Sequence, residues 1–175
     1  MKLKTDHYFH TNLLVLLAER MQPEIYLELG IWEGLTFSRV AKHAKRAIGV
    51  DSGPEATRYA SGDSPYARDG EIWPMTTDQF FESGPGKDLS GVELALIDAC
   101  HEYKQALKDF ESVLKVTAHD GLILFHDTYP ENDSYKVEGE CFNSYLIPGI
   151  LKNCEDIELV TLPCPPGVTI VRKIA

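Results

Sequence analysis

The sequence predicts a doubly wound α/β domain: a mostly parallel, seven-stranded sheet with helices on both faces and an antiparallel last strand. Three observations predict it. Short apolar runs alternate with segments of helical periodicity, and that alternation builds a parallel sheet between two helical layers. Residues 92–97, "VELALI", read as a fully buried strand, as expected where both sheet faces are covered. The last two runs, "IELVTLP" and "GVTIVRKI", are joined only by Cys164-Pro165-Pro166-Gly167. So tight a turn with no helix makes them antiparallel neighbours.

In chain order, residues 6–21 form an N-terminal helix, with Phe9, Leu13, Leu16, Leu17 and Met21 at helical spacing, Thr5 or Asp6 placed to cap it and Pro23 to stop it. Residues 24–29 are the first strand and 35–43 the next helix. Strand 46–50 ends at Asp51, and Pro54 opens a helix running to 60. The segment 61–70 is loop. "EIWPM" is the third strand, with Pro74 marking its end or an edge. "TDQFF" is a short helix, and "SGPGKDLSG" a loop whose likeness to a phosphate loop is superficial, since no strand immediately precedes it. After strand 92–97, Tyr103, Leu107, Phe110 and Leu114 share one face of a helix over 101–116. The fifth strand, 121–125, closes on "HDT". Residues 137–153 are partly helical, and 129–149 is where such a fold inserts a substrate wall.

The 175 residues fit one domain over 1–175 with a substantial core. Apolar stretches such as "LLVLLA" are too short to span a bilayer, and the start "MKLKTDHYFH" lacks the apolar segment of a signal peptide. A cytoplasmic location and no membrane partner are expected. The formal charge of −10 opposes nucleic acid, and the one basic cluster, "KHAKR", suits a helix C-terminus. A small-molecule substrate is the expectation. Cys100, Cys141, Cys154 and Cys164 contain no C-x-x-C pair. Most read as buried thiols, with a zinc cluster of the last three disfavoured by spacing.

In open sheets, ligands bind beyond the carboxyl ends of the strands. Glu28, Asp51, Asp98 and Asp127 stand there, after strands one, two, four and five. A structural sheet gains nothing from carboxylates along one rim. The first loop, "ELGIWEG", is neither G-x-G-x-x-G nor a P-loop, and Glu28 and Glu33 would repel a pyrophosphate. A phosphate-free nucleoside carrying an amine fits better, and S-adenosylmethionine, with an ammonium and a sulfonium, is such a ligand. Gly30 and Gly34 would let it approach the backbone. Asp51, 21 positions after Gly30, is placed to accept from both ribose hydroxyls.

These residues resemble the class I S-adenosylmethionine-dependent methyltransferases, and the resemblance implies their Rossmann-like fold. "ELGIWEG" looks like their first motif and "GVDS" like their second-strand acid. "LIDACHEYKQALKDF" followed by "DGLILFHDT" is similar to methyltransferase domain family 24; His119-Asp120-Gly121 departs from that family's Pro-Gly-Gly turn. The resemblance implies cofactor contacts at Glu28, Gly30, Gly34 and Asp51, and adenine-amine contact at Asp78, which could equally cap the short helix. Asp98 and Asp127 would face the cofactor's methyl group. Trp32 would either cover the cofactor or pack.

Two carboxylates plus water and a substrate oxygen suit Mg²⁺. Catechol-type O-methyltransferases are similar here, with Thr128 standing where they carry an amide ligand. The metal set is then Asp98, Asp127 and Thr128, with the hydroxyl the poorer ligand. His101 matches the base position of that group, and His126 is the other candidate base. His7, His10, His43 and His119 read as helix-face or turn residues without chemistry. Tyr129, Tyr135, Phe142 and Tyr145 would line an aromatic pocket or pack over the sheet. The sequence thus points to a small-molecule O-methyltransferase, and related enzymes are often homodimers. Two alternatives stay open: a non-catalytic cofactor-binding module, and an NAD-linked oxidoreductase, which would need a third glycine and a Tyr-x-x-x-Lys relay.

Overall fold

A computed structural model describes residues 6–67, 70–82, 84–137 and 141–175. The strands are β1 (Ile25–Leu29), β2 (Arg46–Val50), β3 (Glu71–Trp73), β4 (Val92–Ile97), β5 (Thr117–His126), β6 (Ile157–Leu162) and β7 (Val168–Lys173). The helices are α1 (Phe9–Met21), α2 (Leu35–Val40), α3 (Pro54–Ala60), α4 (Thr77–Glu82), α5 (Tyr103–Val116) and α6 (Ile147–Leu151). One sheet runs β3-β2-β1-β4-β5-β7-β6, with β7 antiparallel to both neighbours and β1 to β5 parallel. This is the architecture expected from the strand–helix alternation.

Strand alternation divides the core into two layers. Leu27 and Leu29, Ala95 and Ile97, and Ile123 and Phe125 face α4, α5 and α6, where Phe80, Phe110, Val113 and Ile147 complete the layer. Tyr26, Leu94, Leu96 and Leu124 face α1 to α3 and pack on Leu14, Ala18, Phe37 and Tyr59. Each central strand buries both faces, which is why its sequence is almost wholly apolar.

Several boundaries differ from the expectations. α1 begins at Phe9, not residue 6, because Asp6 builds a turn first. Its carboxylate accepts from the Tyr8 N–H at 3.0 Å and its carbonyl from the Phe9 N–H at 3.1 Å. The buried stripe of α1 runs through His10, Thr11, Leu14 and Ala18, whereas Leu16 is 52% exposed. The expected face was centred about one residue away. α5 starts at Tyr103 because Glu102 is its N-cap, accepting from the Lys104 and Gln105 N–H groups at 3.0 and 3.2 Å. His101 therefore precedes the helix. β5 begins at Thr117, four residues early, and absorbs the extra residues in a register shift against Val92 and Leu94. Segment 137–153 is partly helical as expected, through a 3₁₀ turn Ser144–Leu146 and α6; residues 138–140 lie outside the described residues.

Strand order reverses between β1 and β4. Ligands bind outside the carboxyl ends of such a sheet, at this switch. Gly30 and Asp98, the residues that follow those two strands, are packed against one another there.

Candidate active site

A cavity of about 1000 Å³ opens over the switch point, and Glu28, Gly30, Asp51, Asp78, Asp98, His101, His126 and Asp127 all line it. The structure thus brings most of the rim residues to one place. Gly34 and Thr128 are not among the lining residues.

Gly30 and Gly34 both adopt left-handed backbone, at φ +86° and +91°. A Cβ at Gly30 would lie 2.2 Å from the carbonyl oxygen of Asp98, and one at Gly34 would lie 2.2 Å from the Tyr59 ring. Gly30 is required so that β1 can turn beneath β4. Gly34, expected to admit a ligand, instead admits Tyr59.

Glu28 is 1% exposed and accepts a hydrogen bond from the Tyr26 hydroxyl, two residues earlier on the same strand face. Burial raises its pKa to about 8; the Tyr26 hydrogen bond opposes this, and the charges of Asp98 and Asp51 add to it. A carboxyl raised from its ordinary value of 4.5 contributes most to stability below that pH and loses the contribution as pH rises through 8. Glu28→Gln should therefore flatten the fall in melting temperature between about pH 5 and 9. At the alkaline end the variant should be the more stable, by roughly 2–4 kcal/mol. Thermal melts of the two proteins across that range measure it, and parallel curves would contradict it.

Asp51 spends one lone pair of each oxygen on backbone: Oδ2 accepts from the Trp32 N–H at 2.8 Å and Oδ1 from the Gly53 N–H at 2.7 Å. The carboxylate is thereby fixed at the cavity wall with lone pairs left over. Trp32 itself, in left-handed backbone at φ +45°, is 70% exposed and lines the mouth, so it does not pack into the core.

Asp78 does not cap α4. Thr76 does, in a reciprocal pair with Gln79: Thr76 Oγ1 accepts from the Gln79 N–H and Gln79 Oε1 from the Thr76 N–H, both at 3.1 Å. The Asp78 carboxylate instead pairs with Lys108 Nζ at 2.7 Å and accepts from Gln105 at 3.2 Å, and these contacts lower its pKa.

At the ends of β4 and β5, histidines and aspartates interleave. His126 Nδ1 lies 3.0 Å from Asp98 Oδ1 and 3.4 Å from Asp127 Oδ2. His101 Nε2 lies 3.5 Å and 3.3 Å from the same two oxygens. Burial alone would lower the His126 pKa, but the charge of Asp98 and hydrogen bonds to both aspartates raise it to about 10. Burial likewise works against ionised Asp98, yet His126, His101 and His10 hold it well below the usual carboxylate range. His126 is thus an imidazolium at neutral pH.

His10, read from sequence as inert, packs against His126 with ring centroids 3.9 Å apart and the planes tilted by 49°. Burial and then the charge of His126 lower its pKa to about 4, so it is neutral. Its Nε2 meets the hydroxyls of Thr11 and Thr36 at 3.2 and 3.3 Å, and its Nδ1 has no partner. No local pattern in α1 announces this residue. It enters the cluster only because α1 packs across the tips of β4 and β5.

Ligand atoms of Asp98, His101 and Asp127 lie within 4.8 Å of one another, as do those of His10, Asp98 and His126. Two carboxylates with an imidazole fit a divalent cation. Thr128 does not complete the set. Its hydroxyl is buried and accepts from Thr169 at 2.9 Å, which in turn meets Thr161. All four cysteines are free thiols. Cys100 is exposed, Cys141 is buried near Asp127, and among the described residues no metal-ligand cluster includes a cysteine.

The sequence profile of methyltransferase domain family 24, described as a methyltransferase domain, matches residues 27–128. No curated protein sequence matches the chain. Among solved structures, the chain is similar to cofactor-bound Rv0187 from MTB, at TM-score 0.73 and 14% identity, with 94% of this chain and 79% of that one covered. An O-methyltransferase from Bacillus cereus in complex with SAH aligns at TM-score 0.72 and 15% identity, covering 94% and 80%. The O-methyltransferase TomG from Streptomyces achromogenes, in complex with SAM, aligns at 0.68 and 14%, covering 95% and 80%. With its profile matched over more than half the chain, its sheet order and its rim of acids, the chain belongs to methyltransferase domain family 24 of the class I S-adenosylmethionine-dependent methyltransferases.

Proposed function

We propose that the protein transfers the methyl group of S-adenosylmethionine to an oxygen of a small-molecule acceptor. The observation that carries this reading is the convergence of Asp98, His101 and Asp127 in the cavity that Glu28 and Asp51 also line. Glu28 would face the cofactor's ammonium and Asp51 its ribose hydroxyls. Among the described lining residues seven are acidic and none is Lys or Arg, which favours a neutral or cationic acceptor over a phosphorylated one or nucleic acid.

Transfer requires acceptor oxygen, methyl carbon and sulfur in line, so positioning supplies much of the rate. The acceptor hydroxyl must lose its proton as the carbon–oxygen bond forms. His101 is the base the geometry favours, since the two aspartates fix its ring and stabilise the imidazolium formed. His126, already protonated, acts as a fixed positive charge instead. A divalent cation such as Mg²⁺, held by Asp98 and Asp127 with His101, would lower the hydroxyl's pKa when bound. In that state His101 is a ligand. Chelation therefore separates the two routes: loss of turnover in chelator with recovery on added Mg²⁺ supports the cation, and full turnover in chelator leaves His101 as base.

Calorimetric titration with S-adenosylhomocysteine and with NAD tests the cofactor reading. Micromolar or tighter binding of the first alone is expected, and selective NAD binding would overturn it. In the same experiment Asp51→Ala should weaken S-adenosylhomocysteine binding by about 10- to 100-fold, the worth of hydrogen bonds to a charged group. Unchanged affinity would remove the ribose role.

A further inference from the structure

We propose that the group reading the 6-amino substituent of the cofactor's purine is Asp109 of α5, at the floor of the cavity beneath Thr77 and Gln105. The proposal rests on the cofactor reading above and fixes which base that cofactor must carry.

Past the end of β3 the cavity is lined by Met75, Thr76, Thr77, Asp78, Gln105 and Asp109, and with the ribose on Asp51 at the end of β2 the purine would lie there. Two carboxylates there compete for an amine. Asp78 is the one that its position after β3 suggests, but its side chain is 41% exposed and already paired with Lys108 at 2.7 Å. Solvent and an ammonium leave it little to gain from a neutral amine. Asp109 is 2% exposed. Its Oδ1 accepts from Thr77 Oγ1 at 2.7 Å and from Gln105 Nε2 at 3.0 Å, while its Oδ2 is buried without any partner.

An unsatisfied buried oxygen costs about 1–3 kcal/mol, so a donor that meets it binds strongly and an isostere without that donor is rejected. A purine amine is such a donor. The neighbour that must yield is Gln105, whose amide bridges Asp109 Oδ1 and Asp78 Oδ1 at 3.0 and 3.2 Å. Burial raises the Asp109 pKa, with the Thr77 and Gln105 hydrogen bonds opposing it. An arriving donor relieves the same desolvation.

The test is calorimetric titration of the full chain with S-adenosylhomocysteine and with its analogue bearing hydrogen in place of the 6-amino group. The wild type should prefer the amino compound by about tenfold or more, the size of a hydrogen bond to a charged group. Asp109→Asn should bring the ratio toward one. Thr77, whose hydroxyl donates to Oδ1, keeps the amide oxygen on its side, so an NH₂ replaces Oδ2 and cannot accept. Asp78→Asn should preserve the ratio even if overall affinity falls. A ratio that survives Asp109→Asn, or collapses in Asp78→Asn, overturns the proposal. Equal binding of both compounds by the wild type overturns it while sparing the cofactor reading, and binding of neither overturns both. Should Asp109→Asn not fold, a crystal structure of the wild type with S-adenosylhomocysteine decides: the amine within about 3 Å of Asp109 Oδ2 supports the proposal, and the amine on Asp78 overturns it.

Discussion

Asp98→Asn is expected to cost about 3 kcal/mol of stability and to remove turnover. The variant keeps the shape of the side chain but leaves His126, 12% exposed, with a neutral amide at 3.0 Å and only the Asp127 carboxylate, at 3.4 Å, to balance its charge. Breaking a buried pair on one side costs about 3–5 kcal/mol. Asp98 keeps 22% of its side-chain surface, which places the effect at the lower end. For a chain of this length that corresponds to a drop of about 6–12 °C in melting temperature.

The pH dependence of the gap identifies its origin. Asp98 is lowered from 3.8, so its contribution is present above that value and lost in stronger acid. His126 is raised from 6.5 to about 10, so its contribution is complete below 6.5 and lost as pH rises through 10. The gap between wild type and variant should be widest between about pH 4 and 6.5 and should close toward pH 10. A gap constant across that range would mean that packing, not charge, is what Asp98 supplies. Turnover should fall further than stability, because Asp98 also faces His101 and the site of transfer.

Gly30→Ala should be the most damaging substitution of a single atom. The added Cβ would lie 2.2 Å from Asp98 O, 2.5 Å from Asp98 C and 2.6 Å from Ala99 Cα, all of them backbone. No side chain can swing away to relieve it. Left-handed strain adds about 1–2 kcal/mol, and separating β1 from the end of β4 brings the expected total to about 4 kcal/mol or more. Gly62→Ala is the control: its φ is +85°, but a Cβ there meets nothing within 4 Å. It should cost only the backbone strain. Urea unfolding of the three proteins measures both, and equal losses at Gly30 and Gly62 would refute the role given to the β1–β4 contact. Displacing Asp98 should also abolish binding of S-adenosylhomocysteine by Gly30→Ala.

Much of this was legible in the residues. β2, α3 and β4 fall where periodicity, Pro54 and the buried run placed them, because those signals are local. The acids at the strand ends could be assigned to one rim, since parallel strands all deliver their carboxyl ends to the same edge. What the sequence left ambiguous was direction. Thr128 follows Asp127 by one residue, yet its hydroxyl joins the Thr169–Thr161 chain on β7 and β6 instead of the cavity. The left-handed backbone of Asp127, φ +58°, is not written in any pattern of neighbours. Gly34 looked like a ligand glycine and serves Tyr59, 25 residues later.

The sequence alone therefore determined the α/β architecture, the family and the line of carboxylates, because apolar period and strand polarity depend on near neighbours. Only the tertiary structure decided which side chains complete the site. His10 reaches His126, and Asp109 lies beside Thr77, across separations bridged solely by packing of α1 and α5 on the sheet. Contacts of that kind are set by how whole layers meet, so no short stretch of chain encodes them.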